Sequence, residues 1–93
     1  MFGYHITLIL RKKLQKLSKK DPVLTKIFKK KLMEIIKHNK KTIDTYKNLK
    51  KPSNKFKRIH LTDNYILIFK VFKKEKHIIF VDIAHRDNIY KKL

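Results

Sequence analysis

Phe2, Tyr4 and Ile6 alternate with Gly3 and His5, the period of a short half-buried strand. Thr7 then stands where a helix N-cap acceptor belongs, and Leu10, Leu14 and Leu17 fall on one helical stripe. That helix is expected to stop near Lys20. Asp21-Pro22 is a restart signal, a capping carboxylate followed by proline at a position whose N–H has no helical partner anyway. Leu24, Ile27, Phe28, Leu32, Ile35 and Ile36 recur at helical spacing, with lysines between them, until His38-Asn39. From 40 to 55 the chain is polar and lysine-rich and is broken by Pro52, Ser53 and Asn54, which predicts an ordered, extended loop with one turn at most within 43–49. Segments 56–61, 65–72 and 77–85 are rich in Ile, Val and Phe. Their separators, Thr62-Asp63-Asn64 and Lys73-Lys74-Glu75-Lys76, are short enough for hairpins and predict a three-strand antiparallel meander.

The expected architecture is α+β in the order β-α-α-β-β-β, with the helices on one face of a small sheet and residues 1–93 forming a single domain. A chain of this length buries roughly 60–65% of its unfolded surface, enough for one modest core. Alternation puts Ile59 and Leu61 on one side of their strand and Arg58 with His60 on the other. In the next strand Leu67, Phe69 and Val71 oppose Ile66, Ile68 and Lys70; in the last, Ile79, Val81 and Ile83 oppose Phe80, Asp82, Ala84 and Arg86. If the wholly apolar sets meet the helices, Arg58, His60, Lys70, Asp82 and Arg86 converge on an uncovered face. Gly3 is the only glycine, so any left-handed turn position falls to Asp63 or Asn64.

Charge narrows the choice of partner. Lys and Arg total 26 against 7 acids, a net +19, and such a field attracts polyanions. Residues 1–57 hold 18 basic and 3 acidic side chains, net +15; residues 58–93 hold 8 and 4, net +4. Absence of cysteine excludes disulfides, thiol catalysis and thiolate metal sites. No apolar run approaches the ~20 residues that cross a bilayer, and the start lacks a charged leader with a small-residue cleavage site, so a soluble cytoplasmic protein without membrane contact is expected. His5, His38 and His77 lack ligand spacing; neither a metal nor another cofactor is expected. Only Arg11, Arg58 and Arg86 are arginine, which singles out the two on the open face, because a planar fork grips phosphate in a way lysine does not.

Several stretches carry a family likeness: Leu14 to Leu17 with Asp21-Pro22, Asn48-Leu49-Lys50, Lys57-Arg58-Ile59-His60-Leu61, Asp63-Asn64-Tyr65-Ile66-Leu67-Ile68-Phe69, and Ala84-His85-Arg86-Asp87-Asn88-Ile89-Tyr90. The last, an HR-x-x-IY finish after an apolar strand, is the most specific. In this order, over nearly the whole chain, they resemble the RelE/ParE toxin superfamily of prokaryotic toxin–antitoxin systems. The resemblance implies a RelE-type endoribonuclease that cuts messenger RNA in the ribosomal A site and is silenced by an antitoxin. It implies metal-free chemistry, in which the ribose 2′-OH attacks its own 3′-phosphate in line. Carried over residue by residue, it makes His60 the general base, Arg58 a phosphate clamp and Arg86 the stabiliser of transition-state charge. Tyr90 would orient a base or serve in proton transfer; His85 is a candidate acid, although alternation aims it to the other side of the sheet. Lys51, Lys55, Lys57 and Lys70 are candidate RNA-binding cations. Ile66 stands where many RelE-type members have arginine, a loss worth on the order of 10²–10³-fold in rate unless Lys70, Lys55 or Lys57 substitutes. Two other readings stay open: a ParE-like inhibitor of DNA gyrase, and a basic nucleic-acid-binding module without toxicity. Arg58 and Arg86 also have a plainer use, pairing with Asp82 or Asp87. The expected antitoxin is acidic or amphipathic and wraps the toxin, with association speeded at low salt.

Overall fold

A computed structural model describes residues 1–49 and 55–88. Strand β1 (Gly3–Ile6) ends at Thr7, whose Oγ1 accepts the Leu10 N–H at 3.2 Å and donates to the Val81 carbonyl at 2.7 Å. One hydroxyl thus starts helix α1 (Leu8–Lys20) and ties it to the last strand. Asp21 serves both helices. Its N–H closes α1 on the Leu17 carbonyl at 2.7 Å, and its carboxylate caps α2 (Pro22–Ile36) by accepting the Leu24 N–H at 3.1 Å. The predicted turn in the polar loop is a 3₁₀ turn at Thr42–Thr45, held by the Asn39 side chain, which accepts the Lys41 and Thr42 N–H groups at 2.9 Å.

The sheet has the order β1-β4-β3-β2, with β2 (Lys57–His60), β3 (Tyr65–Phe72) and β4 (His77–His85) forming the antiparallel meander. β1 joins it parallel to β4, Gly3 opposite His77 and Ile6 opposite Phe80; the two helices make the crossover that a parallel pairing requires. A stub of the polar loop covers the outer edge of β2. Asn48 bridges Lys57, the Leu49 N–H donates to the Phe56 carbonyl, and the Arg58 N–H donates to the Lys47 carbonyl. Leu10, Leu24, Phe28, Leu32 and Ile35 of the helices pack on Leu67, Phe69, Ile78, Phe80 and Ile83 of the sheet. Among the described residues no helix is long and apolar enough to cross a membrane.

Regular alternation fails in β4. The pairing passes from Ile68 opposite Asp82 to Phe69 opposite Phe80, leaving Val81 as the extra residue of a β-bulge. Ile78 and Phe80 therefore enter the helix-facing core, and Val81 packs on the other face with Ile66 and Ile68. Of the expected inward set Ile79, Val81 and Ile83, only Ile83 is inward, and Phe80, expected outward, is wholly buried. Thr7 fixes the displaced residue through the Val81 carbonyl. The left-handed position also differs from expectation. Among the described residues Lys76, φ 49°, is the only non-glycine with positive φ. The 62–64 turn needs none, because the Thr62 hydroxyl accepts the Asn64 and Tyr65 N–H groups.

Candidate functional site

The face of the sheet away from the helices has an apolar floor. Leu49, Ile66, Ile68 and Ala84 are buried there, with Phe56 and Val81 packed against them. This floor follows from the register: Arg58 lies opposite Ile68, which lies opposite Asp82, and His60 lies opposite Ile66, which lies opposite Ala84. Arg58 and His60 thus stand on the open side two residues apart, about 6.6 Å along β2. Pairing continues past β4, where the Arg86 N–H donates to the Asn64 carbonyl at 2.8 Å and leaves Arg86 at the same end of the face as His60. Two strand spacings and two residues separate them, on the order of 12 Å between Cα atoms.

Asp82 would be expected to quench such a face. It is engaged from the other side: Lys13 of α1 donates to its Oδ1 at 2.6 Å and to the Ile83 carbonyl at 2.8 Å, and the Ile83 N–H donates to the same Oδ1 at 2.8 Å. Among the described residues the Arg58 and His60 side chains have no hydrogen-bond partner, and Arg86 has only the Asp87 carboxylate at 3.9 Å, beyond hydrogen-bond reach. Lys13 was not legible as a site residue, although its position three after Leu10 and four before Leu17 sets it beside their stripe. Replacing Lys13 with Met is expected to lower stability by about 1–2 kcal/mol, since it strips a partly buried carboxylate of its counter-charge; urea unfolding reads the loss. An unchanged midpoint would show that the Ile83 N–H alone holds Asp82.

The remaining candidates divide. Lys70 lies on the open face, opposite Ile79, with its ammonium 5.0 Å from the Phe72 ring centroid. Lys55 stands 5.9 Å from the Phe56 ring. Lys57 does not join them. It lies opposite Phe69 on the helix side, where its ammonium donates to the Tyr46 carbonyl and Asn48 Oδ1, both at 3.1 Å, and lies 3.4 Å from Asp44. Asp44 is also hydrogen-bonded by Lys73, whose ammonium holds that carboxyl below the usual carboxylate range. His85, paired with Tyr65, faces the helix side as alternation expected, packing edge-on to the Tyr65 ring at 5.6 Å. Its Nδ1 lies 3.3 Å from the Asp87 backbone nitrogen and 3.5 Å from the Asp87 carboxylate. Tyr90 and Lys51 lie outside the described residues. Among the described residues no group of three His, Asp or Glu is placed to hold a metal ion.

Nearby on the helix side, Tyr46 bonds His38 Nε2 at 2.9 Å and packs edge-on to Phe69. Burial, with the Glu34 charge second, pushes its phenol above the ordinary value, and its N–H donates to the Ile43 carbonyl at 3.4 Å, closing the 3₁₀ turn.

Two helices on one face of a four-strand mixed sheet give the chain a fold shared with solved bacterial toxins. A metal-bound toxin of Helicobacter pylori superposes with a TM-score of 0.74 at 20% identity, over 96% of this chain and 99% of its own. The YoeB–YefM complex of Staphylococcus aureus superposes with a TM-score of 0.69 at 11% identity, over 90% of this chain and 95% of that one. No family model matches the chain. In sequence it is 45% identical, over 99% of its length and 94% of the relative's, to a Methanocaldococcus jannaschii protein provisionally named toxin RelE4. The chain belongs to the RelE/ParE toxin superfamily, on its RelE side.

Proposed function

We propose that the protein is the toxin of a toxin–antitoxin pair and cuts messenger RNA in the ribosomal A site. The observation that carries this reading is the pairing of Arg58 and His60 on the open face with Arg86 at its end, while Lys13 occupies the one carboxylate in Arg58's row. His60 takes the proton of the ribose 2′-OH as that oxygen attacks the adjacent phosphorus. The bond from phosphorus to the 5′ oxygen breaks, leaving a 2′,3′-cyclic phosphate and a 5′-hydroxyl. Arg58 grips the phosphate, Arg86 answers the charge that grows on its oxygens, and Tyr90 supplies a proton to the departing oxygen, a part that His85 on the helix side cannot take. The ribosome contributes the alignment, so naked RNA is bound weakly with strong salt dependence and scarcely cut. The partner is an acidic or amphipathic antitoxin that wraps the toxin; net +19 and the likeness to a toxin solved with YefM support it.

Added to translating ribosomes, the purified protein is expected to leave cuts at the A-site codon with 5′-hydroxyl ends. A second reading, a gyrase inhibitor of ParE type, is favoured by one feature, the isoleucine at 66 in place of arginine. Intact messenger together with gyrase-dependent DNA breaks would establish that reading instead.

A further inference from the structure

Beyond the Arg58–His60 site the open face continues, and we propose that its far half, built from Phe72, Lys70, His77 and His5 around Gly3, is a second subsite that stacks an unpaired base of the same RNA strand. The proposal rests on the reading of RNA as substrate and adds a place where a flanking nucleotide binds. Register assembles the patch: Lys70, Ile79 and His5 form one row across β3, β4 and β1, and Phe72, His77 and Gly3 form the next. All lie on the open side, because the intervening Val71, Ile78 and Phe80 pack toward the helices.

Three features fit a base and its phosphate. Phe72 and His77 are half-buried neighbours across a strand pair, so each keeps part of its surface open to solvent. Lys70 stands 5.0 Å from the Phe72 centroid; an exposed cation–π contact is weaker than base stacking, so an arriving base displaces the ammonium toward its own phosphate. Gly3, the chain's only glycine, leaves the floor beside His77 bare: a Cβ there would stand 3.4 Å from His77 Nδ1, without clash but in the space a stacked base would use. Phe72 is four residues along β3 from Arg58's partner Ile68, about 13 Å. That distance is too long for the nucleotide gripped at Arg58 and suits a neighbour on the same strand.

Anisotropy of labelled single-stranded oligoribonucleotides, 2′-O-methylated throughout so that none can be cut, tests the subsite with the full chain. A six-nucleotide probe is expected to bind more tightly than a two-nucleotide probe. Phe72→Leu should weaken the longer probe by about 5- to 100-fold and leave the shorter one unchanged. Phe72→Trp should keep the difference, and Gly3→Thr should reduce it several-fold, covering the case in which Phe72→Leu fails to fold. No gain with length in the wild type, or equal losses for both probes, overturns the subsite. Cleavage is not needed for this readout, so Phe72-dependent binding by a protein that leaves messenger intact on the ribosome would sink the nuclease reading alone. Ribosomal cutting by a protein whose binding ignores Phe72 and Gly3 would sink the subsite alone.

Discussion

Arg86→Ala is expected to slow A-site cleavage by on the order of 10²–10³-fold, the loss typical of removing one preorganised donor from developing charge, while leaving stability within about 0.5 kcal/mol. The split follows from how little the side chain does in the folded protein. It is 58% exposed, its nearest carboxylate oxygen is 3.9 Å away on a residue more exposed still, and pairs of that kind contribute little. Single-turnover cutting on programmed ribosomes and urea unfolding of the same preparation measure the two quantities. Arg86→Lys should recover part of the rate, because a point charge replaces the charge and loses the bidentate grip. Parallel losses of rate and stability would recast Arg86 as a structural residue at the end of β4.

Ile66→Arg is expected to destabilise the protein by ~3–5 kcal/mol and leave cutting no faster. Ile66 is only 5% exposed and is packed among Leu49, Ile68 and Ala84, with Leu49 at 2% lying over the floor from the stub that edges β2. A guanidinium placed there would lose water and find apolar neighbours, which is the costly arrangement for a charge. The isoleucine is thus part of the apolar floor, with Arg58, Lys70 and Arg86 around its rim. Unfolding midpoints and cleavage rates decide the matter. An arginine variant that is stable and faster would mean that Leu49 gives way and that the missing guanidinium limits the rate.

Which parts of this arrangement can be read from the chain follows from how local their causes are. The helix break is written in Asp21-Pro22, and the strands in runs of Ile, Val and Phe between polar turns, because capping and alternation are decided within a few residues. The open-side placement of Arg58 and His60 was legible for the same reason, whereas Lys57, expected among the RNA-binding cations, joins Asp44 and Tyr46 instead, because the same alternation sets it on Ile59's side. β4 was harder. Its sequence from Ile78 to Ile83 is apolar at nearly every position, so both faces read alike, and the bulge at Val81 is set by a hydroxyl 74 residues earlier. Lys13 and Asp82 are likewise 69 residues apart. Leu49 looked like a loop residue because the surface that buries it is made by strands that come later in the chain.

Parallel pairing of the first strand with the fourth also bears on when this protein can do harm. β1 emerges earliest during synthesis but has no neighbour until β4 follows, and the hydroxyl that starts α1 must wait for a carbonyl beside the same strand. Contacts of such sequence separation form late. A nascent chain still attached to the machine that makes it therefore lacks a finished face, and the folded toxin exists only after synthesis is nearly complete.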